Sequence, residues 1–439
     1  MQTNQTLAVL GTLVLSASAI AGGADLEPIG PTPSLNSHAG EAMDIRGNLL
    51  AVGERVAPNY VVMFYEHQPE GWQQSQAVSV GSRRAVSLAF GDGFVGAALS
   101  GSGALAGVVI EPSQDGWAVS AELANPDTSR FNNFTLAAAG DETVFISCND
   151  GSQQYRDAVL VYERGKGGWN HVQTLAPAGA ACTFFGEDID AEGDMLVVGA
   201  TGILSCSGGA GRGAYVFLRQ DGNWNHVDTL TYGNGNGAWV ACDGEYVLSW
   251  AYQSGPNSTV DYIRAWKREG ESFTSAGSIN GSSGWGFDLD FSAGITIKDG
   301  VVAFGSCDGF WGCLGSDSDN RTVRFTQWNG SNWENWNRPS LTIPAGYASS
   351  GFGRGIRMGG GSVVIGAPDY ANTRGLMFEM PLGGILNCPA DLNSSGAVDG
   401  GDLGELFAQW GGSGRADLNG DSTVDAADLG LMLSMWSDC

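Results

Sequence analysis

The chain has 439 residues and a formal net charge of -26, with 21 lysines and arginines against 47 aspartates and glutamates. This acidic balance argues against a nucleic-acid partner, because phosphate binding needs clustered Lys and Arg side chains and none is visible. Glycine and aromatic residues are abundant, which is typical of a folded chain of two or three domains rather than a disordered one.

Residues 1–21 have the pattern of a secretory signal peptide. Leu7–Leu15 is an apolar run, and Ala19-Ile20-Ala21 is a small-x-small cleavage site. No Lys or Arg precedes the run, which departs from the usual pattern, and a buried helix or a membrane anchor is the alternative. No other apolar run approaches the roughly 20 residues that a membrane helix needs. We therefore expect a secreted, extracellular or cell-surface protein without a transmembrane segment.

Eight cysteines, an even number, fit an oxidising compartment. Cys388 and Cys439 bracket the C-terminal segment, and Cys307 and Cys313 lie within one loop, so these are the disulfide candidates. The sequence leaves the pairing of the remaining four open, with free buried thiols as the alternative; they are Cys148, Cys182, Cys206 and Cys242.

Residues 22–384 repeat a unit of short apolar strands separated by Gly, Asn and Asp turns. The clearest copy is Phe185–Ala200 followed by a hairpin with Trp224, and the last copy is Phe352–Pro368. The units recur every 45 to 60 residues or so, roughly the period of a four-stranded propeller blade. The pattern predicts a mainly β protein, a seven-bladed β-propeller with units near 38–80, 81–123, 124–175, 176–230, 231–279, 280–341 and 342–384.

The last unit contains only three strands before the chain leaves the repeat. A propeller ring has to close without an open edge. We therefore predict that a segment near Leu26–Pro33 supplies the missing outer strand of the last blade.

The Phe-Gly … Gly-Ala pattern of Phe185–Ala200, and its Phe-Gly … Gly-Ala-Pro counterpart in Phe352–Pro368, resemble FG-GAP repeats, the blades of integrin-α-type propellers. That family often carries an Asp-rich calcium loop between its first two strands. The corresponding turn here, Ala191–Asp194, is short, so no metal is expected there. Asp188 and Asp190 are interpreted, with Asp194, as strand-face and turn residues.

Two loops near the C-terminus carry oxygen-bearing side chains at positions 1, 3, 5, 9 and 12, the ligand spacing of an EF-hand-type calcium loop. Position 7 would donate a backbone carbonyl. The alternative is a pair of Asp/Asn-rich turns without metal. The predicted ligands of about two calcium ions are Asp391, Asn393, Ser395, Ala397, Asp399 and Asp402, then Asp417, Asn419, Asp421, Thr423, Asp425 and Asp428.

A short apolar segment follows each loop, and the two halves align as AVDGGDLGELFAQWG and TVDAADLGLMLSMWS. This tandem resembles the dockerin family, whose members carry two such loop–helix units. The resemblance implies that residues 385–439 form a small α-helical calcium module that binds a cohesin-like or other protein partner, in association with polysaccharide breakdown. The residues expected to face the partner are Leu403, Leu406, Phe407, Leu429, Met432 and Leu433. The basic pair that dockerins carry late in each helix is absent, which speaks against a cohesin of the usual kind.

No catalytic motif is visible, whether G-x-S-x-G, H-E-x-x-H or a P-loop, and no catalytic residue is assigned. His171 and His226 occupy the same place in consecutive units, which indicates a scaffold role. Paired carboxylates in a propeller channel could support glycoside hydrolysis, although carboxylates at blade-equivalent positions are expected to be repeat features; they are Asp44, Asp188 and Asp288. An aromatic cluster in the sixth unit fits packing between blades or, as the alternative, stacking on sugar rings; its members are Phe310, Trp311, Trp333, Trp336 and Tyr347.

Three functions stay open at this point. The preferred one is a secreted or cell-surface interaction protein in which the propeller is a binding or display scaffold and the C-terminal module is an attachment unit. The first alternative is a carbohydrate-active enzyme, either a glycoside hydrolase or a polysaccharide lyase, with its active site in the propeller. The second alternative is a purely structural surface protein with calcium as a staple.

Overall fold

The computed structural model describes residues 26–29, 39–68, 71–150, 157–176, 183–202, 213–231, 239–254, 259–280, 287–289, 294–298, 300–308, 321–328, 333–335, 341–342, 351–359, 362–369, 374–381, 390, 392, 397–412, 416, 418 and 423–438. Seven antiparallel sheets follow one another along the chain and surround a common channel. This arrangement confirms the predicted mainly β class and the seven-bladed propeller.

The first three blades take up the chain to residue 175. The first contains β2 (Met43–Arg46), β3 (Leu49–Val56), β4 (Asn59–Gln68) and β5 (Gly71–Gly81). The second contains β6 (Ala85–Gly91), β7 (Phe94–Leu99), β8 (Leu105–Ser113) and β9 (Gly116–Ala124). The third contains β10 (Phe131–Asn132), β11 (Ala137–Ala139), β12 (Thr143–Asp150), β13 (Asp157–Gly165) and β14 (Gly168–Leu175).

The next three blades follow the same order from the channel outwards. The fourth contains β15 (Thr183–Glu192), β16 (Met195–Gly202), β17 (Gly213–Gln220) and β18 (Asn223–Leu230). The fifth contains β19 (Val240–Cys242), β20 (Tyr246–Ser254), β21 (Thr259–Glu269) and β22 (Ser272–Asn280). The sixth contains β23 (Phe287–Leu289), β24 (Ile295–Lys298), β25 (Val301–Asp308), β26 (Arg321–Trp328), β27 (Trp333–Asn335) and β28 (Leu341–Thr342).

The seventh blade is built from both ends of the propeller. Its C-terminal strands are β29 (Ile356–Gly359), β30 (Ser362–Gly366) and β31 (Met377–Pro381), and its fourth strand is β1 (Glu27–Pro28). In the β1–β31 pair Glu27 lies opposite Glu379, and the Ile29 amide donates to the Met377 carbonyl at 2.9 Å. Pairing of the first strand with the last completes the four strands of this blade and closes the ring between the two ends of the propeller.

Burial falls from the middle of each blade towards its outer edge. Every residue of β7 is buried, so this strand is apolar on both faces, whereas β9, the outermost strand of the same blade, is mostly exposed. The cores lie between neighbouring blades, since each apolar cluster joins residues of two successive sheets. A blade therefore buries its faces only when the next blade is in place, as in other repeat folds.

Aromatic pairs link successive blades. A hairpin tryptophan of one blade packs on an aromatic ring of the preceding blade, with centroid distances of 4.6 Å for Phe64–Trp117, 4.7 Å for Phe94–Trp169, 4.7 Å for Phe145–Trp224 and 5.8 Å for Tyr246–Trp333. The hairpin aromatics of the repeat are thus blade-to-blade contacts.

In two of these contacts, a glutamine of the preceding blade also forms hydrogen bonds to the backbone of the tryptophan. The Gln173 amide donates to the Trp224 carbonyl at 2.9 Å and accepts from the Trp224 amide at 3.0 Å. Gln76 makes the same two bonds to Trp117, at 2.8 and 2.6 Å. Each glutamine amide side chain extends the hydrogen bonding of one sheet onto the edge of the next.

The Phe-Gly dipeptide of the fourth unit marks a bulge in β15. The register with β16 shifts between Phe185 and Asp188, and Gly186 has φ of +89°, a conformation that side chains other than glycine rarely adopt. A Cβ on Gly186 would lie 2.8 Å from the Ser147 hydroxyl oxygen of the third blade. The bulge therefore needs glycine, and it lets Phe185 enter the core between blades three and four.

The C-terminal segment forms a separate small unit with two helices, α1 (Gly400–Ala408) and α2 (Ala426–Ser434). A two-stranded ladder of β32 (Ala397–Val398) and β33 (Ser437–Asp438) joins the start of the first half to the end of the second. The apolar core of this unit consists of Ala390, Leu392, Val398, Leu406, Ala416, Val424 and Met432. The described helices include none that is long and apolar enough to cross a membrane.

Cys148 and Cys242 are buried thiols within the described part of the propeller. The disulfide candidates Cys313, Cys388 and Cys439 lie outside the described residues, and Cys307 is described only as part of β25. Both proposed pairs therefore stay predictions.

Candidate functional site

The innermost strands of all seven blades enclose a channel of about 870 Å³. Acidic and basic side chains line it in equal number among the described residues: Glu41, Asp44, Asp188, Asp190 and Glu192 against Arg46, Arg84, Lys298, Arg354 and Arg357. Most are ion-paired, for example Arg84 with Glu41 and Arg357 with Asp44. The channel is thus a polar, charge-balanced space rather than an apolar pocket.

Asp188 and Asp190 lie two residues apart on β15, so their side chains point to the same face of the strand. The Asp188 Oδ2 atom accepts from the Val240 amide at 2.9 Å, and the Asp190 Oδ2 atom accepts from the Cys242 amide at 2.7 Å. Both donors belong to β19 of the fifth blade. The two carboxylates therefore fasten blade four to blade five by hydrogen bonds to its backbone.

The remaining oxygens of the same carboxylates are also used. The Asp188 Oδ1 atom accepts from the Ile189 amide and the Asp190 Oδ1 atom from the Ala191 amide, both at 3.0 Å. Asp44 repeats the arrangement between blades one and two, because its Oδ2 atom accepts from the Phe90 amide at 2.6 Å. Asp44 and Asp188 are repeat features, as the sequence pattern indicates. Asp288 is described only as part of β23.

Burial holds these carboxylates closer to neutrality than ordinary aspartates. Desolvation raises the pKa of Asp188 and of Asp190 to about 7, against a partial lowering by the backbone donors and by the positive charge of Arg357. The charges of Asp188 and Asp44 raise the pKa of Asp190 further. Burial likewise raises the pKa of Asp44, with Arg357 as the main opposing influence.

These pKa values predict a pH dependence of folding. Between pH 3.8, the ordinary aspartate value, and about 7, the folded chain keeps protons on Asp188 and Asp190 that the unfolded chain has lost. The contribution of this pair therefore lowers the free energy of unfolding as pH rises through that window, by at most about 4 kcal/mol for each residue. Denaturant unfolding of the wild type and of Asp190→Asn at several pH values measures this pH dependence. The control is Asp115→Asn, which changes an exposed turn residue. Parallel pH profiles for wild type and Asp190→Asn would contradict the assignment.

The histidines of the third and fourth blades have matching environments. The Nε2 atom of His171 lies 3.0 Å from the Thr174 hydroxyl, and that of His226 lies 2.8 Å from the Thr229 hydroxyl. In the sixth blade, Trp333 packs on Tyr246 and donates to the Ala276 carbonyl at 2.9 Å. These contacts join parts of the scaffold. The other members of the sixth-unit aromatic cluster lie outside the described residues: Phe310, Trp311, Trp336 and Tyr347.

The described part of the two C-terminal loops is their second half. Six of the predicted calcium ligands lie outside it: Asp391, Asn393, Ser395, Asp417, Asn419 and Asp421. Among the described residues no group of three His, Cys, Asp or Glu side chains is placed to hold a metal ion. The calcium sites therefore stay a prediction. The predicted ligands within the described residues are the carboxylates of Asp399, Asp402, Asp425 and Asp428 and the backbone carbonyls of Ala397 and Thr423.

Loop positions 9 and 12 double as capping residues of the helices. Asp399 is the N-cap of α1 and accepts from the Gly401 amide at 2.7 Å, while Asp402 accepts from the Asp399 amide at 2.9 Å. Asp425 and Asp428 make the same capping box on α2, at 2.7 and 2.8 Å. The duplication in sequence is thus a duplication in local structure.

Asp402 and Asp428 have no solvent exposure. The Asp428 Oδ1 atom also accepts from the Leu418 amide at 2.8 Å, which links the second loop to α2. Two fully buried carboxylates in a module of this size are costly unless a charge compensates them. Carboxylate oxygens are hard ligands of the kind that Ca²⁺ prefers, so the chemistry of these two side chains fits that ion.

Sequence reasoning misplaced two of the six apolar residues that it assigned to the partner face. Leu406 and Met432 are fully buried in the module core, and Leu403 and Leu429 pack against it. Only Phe407 and Leu433, the next residue in each helix, are exposed, at 52% each. The correction follows from helix geometry, because residues one position apart point about 100° away from each other.

Three exposed apolar residues of this module were not predicted: Trp410, Leu431 and Trp436. Trp410 follows Phe407 by three positions, and their ring centroids lie 5.6 Å apart. Trp436 stands at the equivalent position after Leu433. An i, i+3 spacing of large apolar residues on a short helix was the available signal.

No protein family model matches the chain, and no curated protein matches it. Similar folds occur among solved structures. The polysaccharide lyase Uly1 has 8% identity and a TM-score of 0.47, with 83% of this chain and 94% of that chain covered. The propeller domain of the Trilobed protease from Pyrococcus furiosus has 9% identity, a TM-score of 0.46, and 80% and 96% coverage. The WD40 domain of Toxoplasma gondii coronin has 10% identity, a TM-score of 0.44, and 83% and 87% coverage. Identities this low concern the fold alone.

Proposed function

We propose that the chain is an exported, calcium-dependent attachment protein. The FG-GAP-like propeller is its display scaffold, and the dockerin-like residues 385–439 bind about two calcium ions and a protein partner. The observation that carries the proposal is the duplicated C-terminal unit, in which a buried carboxylate at loop position 12 and an exposed apolar helix face occur twice.

The mechanism is coupling between metal binding and folding. Bound Ca²⁺ would supply the positive charge that offsets the loop carboxylates. Asp402 and Asp428 hold the loops to the helices through their capping bonds, and Asp399 and Asp425 begin the helices. The core residues Leu406 and Met432 then fix how the exposed residues of the two helices face solvent.

The propeller supports a display role through its construction. Its buried carboxylates are engaged in blade-to-blade bonds, and its tryptophan hairpins pack on neighbouring blades. The rigid ring leaves the loops of its two faces for presentation. Secretion rests on the signal-like pattern of residues 1–21.

Attachment is tested by expressing the full chain and a chain ending at residue 386 in the secreting cells. We expect the full chain to be retained on the cell surface or on an extracellular assembly in calcium and to be released by a chelator. The shorter chain should appear in the medium under both conditions. Equal retention of both chains, or retention that survives chelation, would contradict the proposal.

A carbohydrate-active enzyme is the second candidate, and the channel of about 870 Å³ favours it because that volume falls within the range of ligand sites. The test is to incubate the full chain with a panel of polysaccharides and to assay new reducing or unsaturated ends. Product that is lost in Arg357→Ala would place the chemistry in the channel. Absence of product across the panel would leave the attachment function.

A further inference from the structure

The C-terminal module exposes large apolar residues in two equivalent sets. Phe407 lies in the last turn of α1 and Trp410 just after that helix, and they are 52% and 46% exposed. Leu433 and Trp436 occupy the same positions in and after α2, at 52% and 42%. Leu431 adds a fifth, at 38%. Among described residues, the propeller's large exposed apolar side chains are four scattered ones: Val56, Val119, Val172 and Phe184. Five large exposed apolar side chains in so small a module, with the rings of Phe407 and Trp410 in contact at 5.6 Å, indicate an interaction surface.

All charged residues in the described part of this module are acidic. Asp399 and Glu405 are exposed and Asp425 is partly exposed, and neither helix has a basic residue in its last turn. The segment from Cys388 to Cys439 contains nine carboxylates and one arginine, a side-chain charge of -8. Two bound divalent cations would leave it at -4, so the surface stays acidic in the calcium-loaded state.

We propose that this apolar surface, defined by Phe407, Trp410, Leu431, Leu433 and Trp436, docks a protein whose binding face is apolar at its centre and rimmed by lysine and arginine. The inference rests on the proposed attachment function and specifies its partner. Complementary charge at the rim would speed association and reject acidic partners. A second copy of this chain is disfavoured because it carries the same acidic face and a net charge of -26.

Two amphipathic helical peptides with identical apolar positions serve as probes, one with lysines and one with glutamates at the flanking positions. Calorimetry with the calcium-loaded full chain at low salt is expected to give an affinity for the lysine peptide at least about tenfold higher than for the glutamate peptide. The difference should shrink at about 0.5 M salt, where charges are screened. Glu405→Lys should narrow this difference too, because it makes the acidic module less negative by two charges.

The control for non-specific attraction keeps the charge and removes the apolar contacts. The double variant Phe407→Ser/Leu433→Ser has the charge of the wild type but lacks two of the apolar contacts. Its affinity for the lysine peptide should therefore be at least about tenfold lower than that of the wild type. Retained affinity in this variant, equal affinity for the two peptides, or binding of neither would overturn the inference. Dimerisation of the calcium-loaded chain in sedimentation, abolished by the same variant, would also overturn it by making a second copy the occupant. Calorimetry with calcium in parallel distinguishes failure of this inference from failure of the proposed attachment function, because absence of calcium binding would count against the attachment function itself.

Discussion

Replacing Asp428 by alanine is expected to lower the calcium affinity of the second loop by about 100-fold or more, given that outer-shell changes alone cost 10- to 100-fold. The side chain has no solvent exposure and accepts from the Asp425 and Leu418 amides. Its loss removes a position-12 ligand and half of the capping box on α2. Asp402→Ala should have the same effect on the first loop.

Isothermal titration calorimetry of the full chain measures this effect. The wild type should bind about two calcium ions tightly, and each single variant should bind about one. The matched control is Asp115→Ala, which removes an exposed turn carboxylate of the propeller. If Asp428→Ala keeps the wild-type affinity and stoichiometry, the calcium assignment of these loops is wrong.

Trp224→Ala is expected to lower the free energy of unfolding of the propeller by about 3–5 kcal/mol, the usual cost of removing a buried aromatic side chain. Trp224 is 2% exposed and packs edge to face on Phe145 of the preceding blade at 4.7 Å. The substitution opens a cavity at the contact between blades three and four.

Denaturant unfolding followed by far-ultraviolet circular dichroism measures the loss. Trp436→Ala is the matched control, because that tryptophan is 42% exposed and its removal should change stability by less than about 0.5 kcal/mol. Equal effects of the two substitutions would show that the hairpin tryptophans do not join the blades.

Most of the fold could be predicted from the repeated sequence units. Phe185-Gly186 in the fourth unit and Phe352-Gly353 in the seventh both combine a phenylalanine buried between blades with a glycine at positive φ. The spacing of such units was enough to predict the seven sheets. The hydrogen bond that Asp190 accepts could not be predicted, because the donor amide of Cys242 lies 52 residues away in the next blade. A bond between blades leaves no local pattern.

At the C-terminal module the sequence predicted which residues are apolar but not which of them are exposed. Leu406 and Phe407 are adjacent and equally apolar, yet one is fully buried and the other half exposed. The difference depends on where the opposite helix lies, which short segments of nine residues do not specify by periodicity. The capping boxes were predictable in principle, since Asp at positions 9 and 12 matches the N-cap and N3 spacing.

The folding of the C-terminal module around calcium can be tested by amide hydrogen exchange of the full chain with and without calcium. We predict that the amides of α1 and α2 lose protection by at least about 100-fold when a chelator removes calcium, because the module folds around the metal. Amides of the buried propeller strands β12 and β16 should exchange at the same rate in both conditions. Helices that are equally protected with and without calcium would contradict metal-coupled folding and, with it, the calcium-dependent attachment role.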